Sequence, residues 1–423
     1  MQTKVMWRKV KGGLVCAGVA VSLAACVTPS ETRDLNADQI HNDSLVMDTH
    51  ADVVLPETNV IYLASDGLSK VDPSKLRAGG MGAVVMSLAV PPGPRTPEGD
   101  AAGRDMVNRK LAAVQAIAAQ NSDIEIAATA AQIEQLRADG KIALILGLQN
   151  ARSLEGKLSS LDETYASGVR IFGFNHIGHN DFADSSRPVF DGENKVFEAE
   201  EEHSGLSPLG KQAVARINDL GALIDISQMS KNASIQAIKL SRSPVIATHS
   251  NVRSESDVSR NLSDEEIDMI GETGGVISLA PFGAYLLDYS KPGLLDQIIQ
   301  VRAEAGLPAK FSYPYELYWE IEDSAERLAF LGAMRTLIGP SSLSRMIDHI
   351  DYVAGRIGAE HVAIGSDFNH GGGVPGFVDA SEARNVTGAL IERGYSAEQI
   401  KKIWGENFLR VLAQAEANAK ADR

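Results

Sequence analysis

The sequence contains little cysteine, few aromatic residues and too few basic residues to balance its acids, and each shortage excludes something. Its only two cysteines, Cys16 and Cys26, lie within the first 26 of the 423 residues. The rest of the chain therefore has no thiol, which excludes a disulfide bond or a zinc–thiolate site there. A metal ion in that part must be held by histidine, carboxylate or amide oxygen.

The shortage of basic charge excludes other classes of protein. The chain has 40 Lys and Arg against 55 Asp and Glu, a formal net charge of −15. A nucleic-acid-binding protein needs basic surface to neutralise phosphate, so we expect no nucleic-acid partner. Anionic lipid would also repel so acidic a body, so membrane attachment would require a specific anchor. The 44% hydrophobic and 22% charged residues are typical of a globular protein.

The N-terminus has the three-part layout of an export signal. Basic residues precede an uncharged run over residues 12–25, which is too short to span a bilayer comfortably. Residues 23–26 read Leu-Ala-Ala-Cys and resemble the bacterial lipobox, whose cysteine is acylated. We predict a lipoprotein signal peptide over residues 1–26 with lipidation at Cys26, the alternative being an ordinary cleaved signal. Because Val27 follows in place of aspartate, the expected location is the periplasmic face of the outer membrane.

The remaining chain predicts a tether at 27–40, one barrel domain at 41–416 and a polar tail at 417–423. Short apolar runs alternate with helical periodicity, as in an α/β protein with buried parallel strands. Eight such units predict a single (β/α)8 TIM-type barrel. The alternative, a doubly wound sheet, lacks a Gly-rich dinucleotide turn after its first strand. The eight predicted strands are residues 45–47, 83–88, 142–146, 169–174, 223–226, 245–247, 275–279 and 361–364.

One region between the seventh and eighth predicted strands departs from this pattern. Residues 281–320 hold eight of the chain's 23 Phe, Tyr and Trp residues. In a barrel such an insertion lies over the C-terminal face, where ligands bind. It therefore predicts a substrate wall, a subunit contact or additional packing, and the sequence leaves all three open.

Polar residues that can bind ligands end six of the eight predicted strands. His50 and Asp52 share one side of an extended segment, so both can reach one metal ion. Because active sites of barrels lie where the strands end, these residues predict a site there. The alternative is a rim of polar residues that only satisfy one another. The other strand ends contribute Gln149, His176, Gln228, His249 and Asp367.

The order of these motifs resembles the membrane (renal) dipeptidase family of the amidohydrolase superfamily. The resemblance spans roughly residues 40–415 and implies a hydrolase of dipeptides or related small amides. Its matching stretches are 48–52 (DTHAD), 75–80 (KLRAGG), 180–185 (NDFADS), 244–250 (PVIATHS), 260–264 (RNLSD), 364–368 (IGSDF) and 405–410 (GENFLR).

The resemblance also implies a two-zinc site, in which two of the ligands have changed. One zinc would take His50, Asp52, Asp367 and a bridging glutamate, whose place is occupied by Gln149. The other would take that bridge, His249 and a histidine whose place is occupied by Gln228. Amide oxygen is a poor zinc ligand, so we expect one strong Zn2+ site and a second that is weak or absent.

The resemblance assigns two further roles. His176 implies substrate binding and stabilisation of the developing oxyanion, and Arg260 implies binding of the substrate carboxylate. Asp367 would serve as a metal ligand or as the base for the attacking water. The alternative function is a catalytically altered binding or maturation factor. The resemblance also suggests a homodimer.

The remaining histidines receive no such assignment. His179 lies in the loop that matches the family around His176, so a site role for it stays open. We predict no catalytic role for His41, His203, His349, His361 and His370.

Overall fold

A computed structural model describes residues 36–420, which belong to one compact unit. The predicted signal peptide with Cys26, the tether up to residue 35 and the last three residues of the tail lie outside these described residues. Helix α1 (Ala37–Asp43) begins before residue 40, the predicted end of the tether. Among residues 36–420, no helix combines the length and apolar character needed to cross a membrane.

Eight parallel strands form the barrel, which confirms the predicted fold. Each strand pairs with the next along the chain, and the eighth returns to the first through the pair Ala51 and Phe368. The backbone N–H of Asp52 donates to the carbonyl of Phe368 at 2.9 Å and closes the ring. The strands are β1 (Met47–Asp52), β2 (Ala83–Ala89), β3 (Ile142–Gln149), β4 (Val169–Gly173), β5 (Leu223–Asp225), β6 (Ile246–Ala247), β7 (Val276–Leu279) and β8 (Val362–Ile364).

The strands are apolar on both faces because alternate residues pack on opposite sides of the sheet. In β2, Val85 belongs to the cluster inside the barrel, whereas Val84 and Met86 belong to the cluster beneath the helices. Helix α14 (Asn407–Ala417) adds Phe408 and Leu412 to the inner cluster. It thereby closes the N-terminal end of the barrel.

Helices surround the barrel and begin at side chains that cap their free N–H groups. Thr96 and Ser207 cap helices with proline in the first turn, where proline costs no hydrogen bond. Besides α1 and α14, the helices are α2 (Pro73–Ala78), α3 (Pro97–Gln120), α4 (Ala130–Ala138), α5 (Ser159–Ala166), α6 (Pro208–Leu220), α7 (Lys231–Leu240), α8 (Asp264–Glu272), α9 (Leu294–Glu304), α10 (Ser324–Ile338), α11 (Leu343–Ile357), α12 (Ala383–Glu392) and α13 (Ala397–Lys401).

Two additions lie over the C-terminal end of the barrel. The insertion after β7 contains α9 and α10 and has its own apolar cluster, which includes Ile298, Phe330 and Met334. A short hairpin of Phe190–Asp191 and Val196–Phe197 follows β4. Its phenylalanines pack against the cluster of the insertion.

Candidate active site

Three residues from three different strands converge at the C-terminal end of the barrel. His50 lies in β1, His249 follows β6 and Asp367 follows β8, and all three are buried. Their ligand atoms lie within 4.8 Å of one another, and the two imidazole centroids are 3.7 Å apart. Two histidine nitrogens and one carboxylate make a donor set that suits zinc.

A single hydroxyl orients both histidines. Thr248 Oγ1 donates its one hydrogen to Asp225 Oδ2 at 2.6 Å. Its oxygen is therefore left to accept from Nδ1 of His50 at 3.0 Å and Nδ1 of His249 at 2.9 Å. Both rings then carry their proton on Nδ1, so Nε2 is the nitrogen of each ring that has a lone pair for a metal ion. Such outer hydrogen bonds are how proteins fix the tautomer of metal-binding histidines.

The buried polar atoms of the site fit an absent cation. Within residues 36–420, Nε2 of His50, Oδ1 of Asp52 and Oε1 of Gln228 are buried without a hydrogen-bond partner. A buried acceptor without a partner costs about 1–3 kcal/mol. Three such atoms in one site therefore require an explanation. A divalent ion would satisfy lone pairs of this kind.

Asp52 is held by two cationic groups that sequence reasoning missed. Lys110 Nζ, from α3, lies 4.0 Å from Asp52 Oδ2 although it is itself buried. His370 Nδ1 lies 3.2 Å from the same oxygen. Burial acts to raise the pKa of Asp52, but Lys110 and His370 hold it well below its ordinary value. Asp52 is therefore a carboxylate already neutralised by protein groups.

Asp367 has the opposite electrostatic environment. Burial raises the pKa of Asp367 above its ordinary value, and the nearby charge of Asp52 acts in the same direction. In many active sites two carboxylates have pKa values shifted in opposite directions. The one with the lowered pKa stabilises charge, and the one with the raised pKa transfers a proton. This environment suits Asp367 to accept a proton.

The two glutamines predicted as altered ligands both reach the site. Nε2 of Gln149 lies 3.1 Å and Nε2 of Gln228 lies 3.2 Å from Nε2 of His249. An amide N–H aimed at that lone pair competes with a metal ion for it. The amides therefore occupy, without charge, the positions at which the sequence resemblance predicts ligands of a second zinc ion.

His176 lies beside the site and contacts a histidine to which we assigned no role. Its Nε2 is 3.2 Å from Nε2 of His370, whose ring stacks on Tyr62 at 5.5 Å between centroids. Burial and the charges of His370 and Arg187 lower the pKa of His176 well below its ordinary value. His176 is therefore neutral and can donate or accept one hydrogen bond toward a ligand.

We predicted no catalytic role for His370, and that stays a prediction, but the structure places its ring beside Asp52 and His176. Its position three residues after Asp367 was a signal available in the sequence, because a short loop after a barrel strand stays at the rim. The remaining histidines make structural hydrogen bonds. Nε2 of His179 donates to the carbonyl of Ala199 at 2.8 Å, and the other rings contact Gly79, Asn180, Val252 and Gly275.

Arg260 is buried behind His249. Its Nη2 donates to the carbonyl of His249 at 2.5 Å, and its Nη1 donates to Ser250 Oγ at 3.0 Å. Its Nε is buried and has no hydrogen-bond partner in the described part of the chain. The guanidinium thus supports the His249 backbone and has donors left for a ligand. The structure therefore places Arg260 at the site, but its Nη1 and Nη2 atoms already donate to protein groups.

The backbone at the strand ends adopts left-handed conformations that glycine normally occupies. Gln228 has φ of 68° and Asp367 has φ of 53°, and Asn150 and Asn369 also have positive φ. Such conformations cost non-glycine residues of order 1–3 kcal/mol and cluster at functional sites. The conformations aim the side chains of Gln228 and Asp367 into the site.

A cavity of 570 Å³ adjoins this site. His176 and His370 line its inner end, and the hairpin and the insertion form its outer walls. The cavity wall includes the aromatic residues Tyr62, Phe190, Phe197, Phe282, Tyr285, Tyr313, Tyr315, Tyr318 and Trp319. The sequence left three interpretations of the insertion open: a substrate wall, a subunit contact or additional packing. Because most of the insertion's aromatic side chains line the cavity, the structure favours the substrate wall.

Two known proteins that resemble this chain are named as dipeptidases. The probable dipeptidase PvdM from Pseudomonas aeruginosa has a TM-score of 0.78 and 36% identity, over 90% of this chain and 98% of that one. Dipeptidase tcpJ of Claviceps purpurea (strain 20.1) is 26% identical over 369 residues, which are 84% of this chain and 71% of that protein.

A third relative shares the fold alone. It is a metallo peptidase from Rhodobacter sphaeroides, liganded with a phosphinate mimic of the dipeptide L-Ala-D-Ala. Its TM-score is 0.64 at 19% identity, over 88% of this chain and all of that one. The family model for membrane dipeptidase (peptidase family M19) matches residues 35–423. The chain therefore belongs to the membrane dipeptidase family, peptidase family M19, whose members are metal-dependent.

Proposed function

We propose that this chain is a hydrolase of dipeptides or related small amides that works with one zinc ion. The observation that carries the proposal is the convergence of His50, His249 and Asp367, whose ligand atoms lie within 4.8 Å of one another. Zinc bound by these three residues would supply a water molecule with a pKa lowered to about 7.

The protein's own residues would supply proton transfer and orientation. Asp367 lies within reach of the ion's position, so its carboxylate would accept the proton of the attacking water. His176 is neutral and lies at the inner end of the cavity, where it can donate to the carbonyl oxygen as charge develops. Arg260 Nε, buried without a partner in residues 36–420, is the donor that remains for a substrate carboxylate.

Lys110 supports a count of one ion instead of two. Because Asp52 is paired with Lys110 and His370, Asp367 is the carboxylate of the triad left to offset the charge of an ion. Lys110 adds a positive charge 4.0 Å from Asp52 Oδ2, and Gln149 and Gln228 bring no negative charge to the site. A second divalent ion would therefore meet repulsion and only neutral amides.

The test combines metal analysis with hydrolysis of a dipeptide panel. We expect about one zinc per chain and turnover that falls by roughly 10²–10⁴-fold in Asp367→Asn. The matched control is Asp139→Asn, which removes an exposed carboxylate at the end of α4 and should leave turnover unchanged. Absence of both bound metal and turnover in the unaltered protein would support the binding-factor alternative instead.

We also propose that the chain is exported and held at the outer membrane by acylation of Cys26. The support is the signal-like N-terminus and the lipobox-like residues 23–26. Mass spectrometry of the mature N-terminus should find a lipid-modified Cys26, and Cys26→Ser should abolish lipid labelling. An unmodified mature N-terminus in the unaltered protein would contradict this proposal.

A further inference from the structure

The cavity beside the site is far more aromatic than the chain as a whole. Phe, Tyr and Trp make up 5% of the sequence, yet they provide nine of the 21 residues that line the cavity. Its 570 Å³ lies in the range of about 300–1,000 Å³ that holds drug-sized ligands. A dipeptide with two methyl side chains would leave most of this volume unfilled.

The aromatic rings line several walls of the cavity instead of one flat surface. Phe282 and Tyr285 stack at 4.2 Å between centroids, whereas Tyr318 and Trp319 meet edge to face at 5.3 Å. Phe190 and Phe197 of the hairpin add a further wall. Faces and edges are thus presented from different elements, which favours an aromatic guest over an aliphatic one of equal size.

The charged groups in the wall neutralise one another. Nη2 of Arg187 lies 3.0 Å from Oε1 of Glu316, and both side chains are about 95% buried. Glu316 also accepts from the backbone N–H of Ser312. Because Arg187 is matched by Glu316 and His370 by Asp52, the wall offers a ligand no unmatched charge, which favours a neutral guest.

Resting on the proposed hydrolase function, we propose that the substrate is a peptide or small amide with a large, neutral aromatic side group, which the aromatic cavity receives. His176 lines the cavity's inner end and also contacts the site through His370. A side group in the cavity therefore leaves its amide beside His176. The cavity would select the substrate, and the buried site would cleave it.

Binding is measured by calorimetry on the full, zinc-supplemented protein with phosphinate dipeptide analogues that resist hydrolysis. The analogues carry methyl, benzyl or cyclohexylmethyl side groups at either residue. We expect the benzyl analogue to bind roughly two- to tenfold more tightly than the cyclohexylmethyl analogue, which matches its size but lacks the ring quadrupole. The methyl analogue should bind most weakly. Equal affinities for the benzyl and cyclohexylmethyl analogues would overturn the proposal.

Variants of the wall give a second measurement. Tyr318→Leu combined with Trp319→Leu should abolish the benzyl preference and leave the methyl analogue unchanged. Phe311→Leu is the matched control, because Phe311 belongs to the same insertion but does not line the cavity. Trp319 also reports directly: the benzyl analogue should change tryptophan fluorescence in the unaltered protein, and this change should be absent in Trp319→Phe. An unchanged benzyl preference in the double variant would overturn the assignment to this cavity.

Hydrolysis of the corresponding dipeptides separates the two proposals. A benzyl preference in binding without hydrolysis of any dipeptide would refute the proposed function and leave the cavity's selectivity standing. Hydrolysis that proceeds equally on methyl and benzyl dipeptides, with no binding preference, would refute the aromatic substrate alone.

Discussion

The two sides of the site differ in charge although the same barrel builds both. On one side β1, β6 and β8 bring together His50, His249 and Asp367, which are strong metal ligands. On the other side β3 and β5 bring Gln149 and Gln228, which have the reach of ligands but neither charge nor an imidazole. The difference teaches that one barrel rim can present charged ligands on one side and neutral amides on the other, and the proposal of a single ion rests on that contrast.

Lys110 extends this contrast. A buried amine is costly unless an opposite charge lies near it, and Asp52 is that charge. Burial lowers the pKa of Lys110, while Asp52 acts to raise it. The site thus contains a fixed protein cation, and the Asp52 carboxylate that could have joined His50 on a metal ion is already paired with it.

The largest expected effect comes from breaking the charged side. His249→Ala removes one of three ligands, and it should reduce zinc affinity by more than about 100-fold, since even outer-shell losses cost 10–100-fold. The measurement is zinc binding by competition with a chelating dye. His361→Ala is the control, because His361 lies at the opposite end of the barrel. Equal zinc affinity in the unaltered protein and His249→Ala would show that the ion binds elsewhere.

The next effect tests the neutral side by restoring its charge. Gln149→Glu together with Gln228→His should bring the zinc content toward two per chain, because the pair supplies a bridging carboxylate and an imidazole. Each change alone should do less, since neither completes a coordination shell. Elemental analysis provides the count. A content that stays at one in the double variant would mean that the Lys110 charge alone excludes the second ion, which adding Lys110→Met then checks.

A smaller effect comes from the hydroxyl that orients both histidines. Thr248→Val keeps the shape but removes the acceptor for both Nδ1–H groups, and it should lower zinc affinity by roughly 10–100-fold. Thr248→Ser restores the hydroxyl and should recover most of that loss. If the valine and serine variants bind zinc equally well, Thr248 does not determine the tautomers.

The smallest expected effect is on the pH dependence of stability, and it comes from His349, a buried histidine outside the site. Burial, with the charge of Arg345, lowers the pKa of His349 to about 3 from an ordinary value near 6.5. Below pH 6.5 the unfolded chain therefore takes up a proton that folded His349 does not. Its contribution to stability is complete above pH 6.5 and falls by about 1.4 kcal/mol for each pH unit toward 3.

His349→Gln should remove this pH dependence, since its side-chain oxygen can still accept from the Val252 N–H. Urea unfolding at pH 7.5 and 5.5 measures it. Between these values the unaltered protein should lose about 1.4 kcal/mol more than the variant. The same loss in both proteins would assign the acid sensitivity to other groups, such as His176 and His249.

The sequence predicted the barrel because its information is local and repeated. Apolar runs such as residues 83–88 mark strands buried on both faces, and caps such as Ser263 with Glu266 mark where helices begin. The observed β1 begins and ends later than the predicted run 45–47, since polar ligands such as His50 and Asp52 interrupt the apolar pattern that marks a strand. The same ligands at strand ends predicted where the site lies.

Tertiary structure alone decided which partners each of those site residues contacts. That Asp52 turns to Lys110 and His370, while Asp367 stays beside both metal-facing histidines, depends on contacts between α3, β1 and the loop after β8. The aromatic cavity likewise joins residues from loops that are far apart in sequence. Residue type and spacing determine which chemistry is available, because they are local. Charge pairing and the shape of a cavity depend on distances across the fold, and the sequence carries those only through packing.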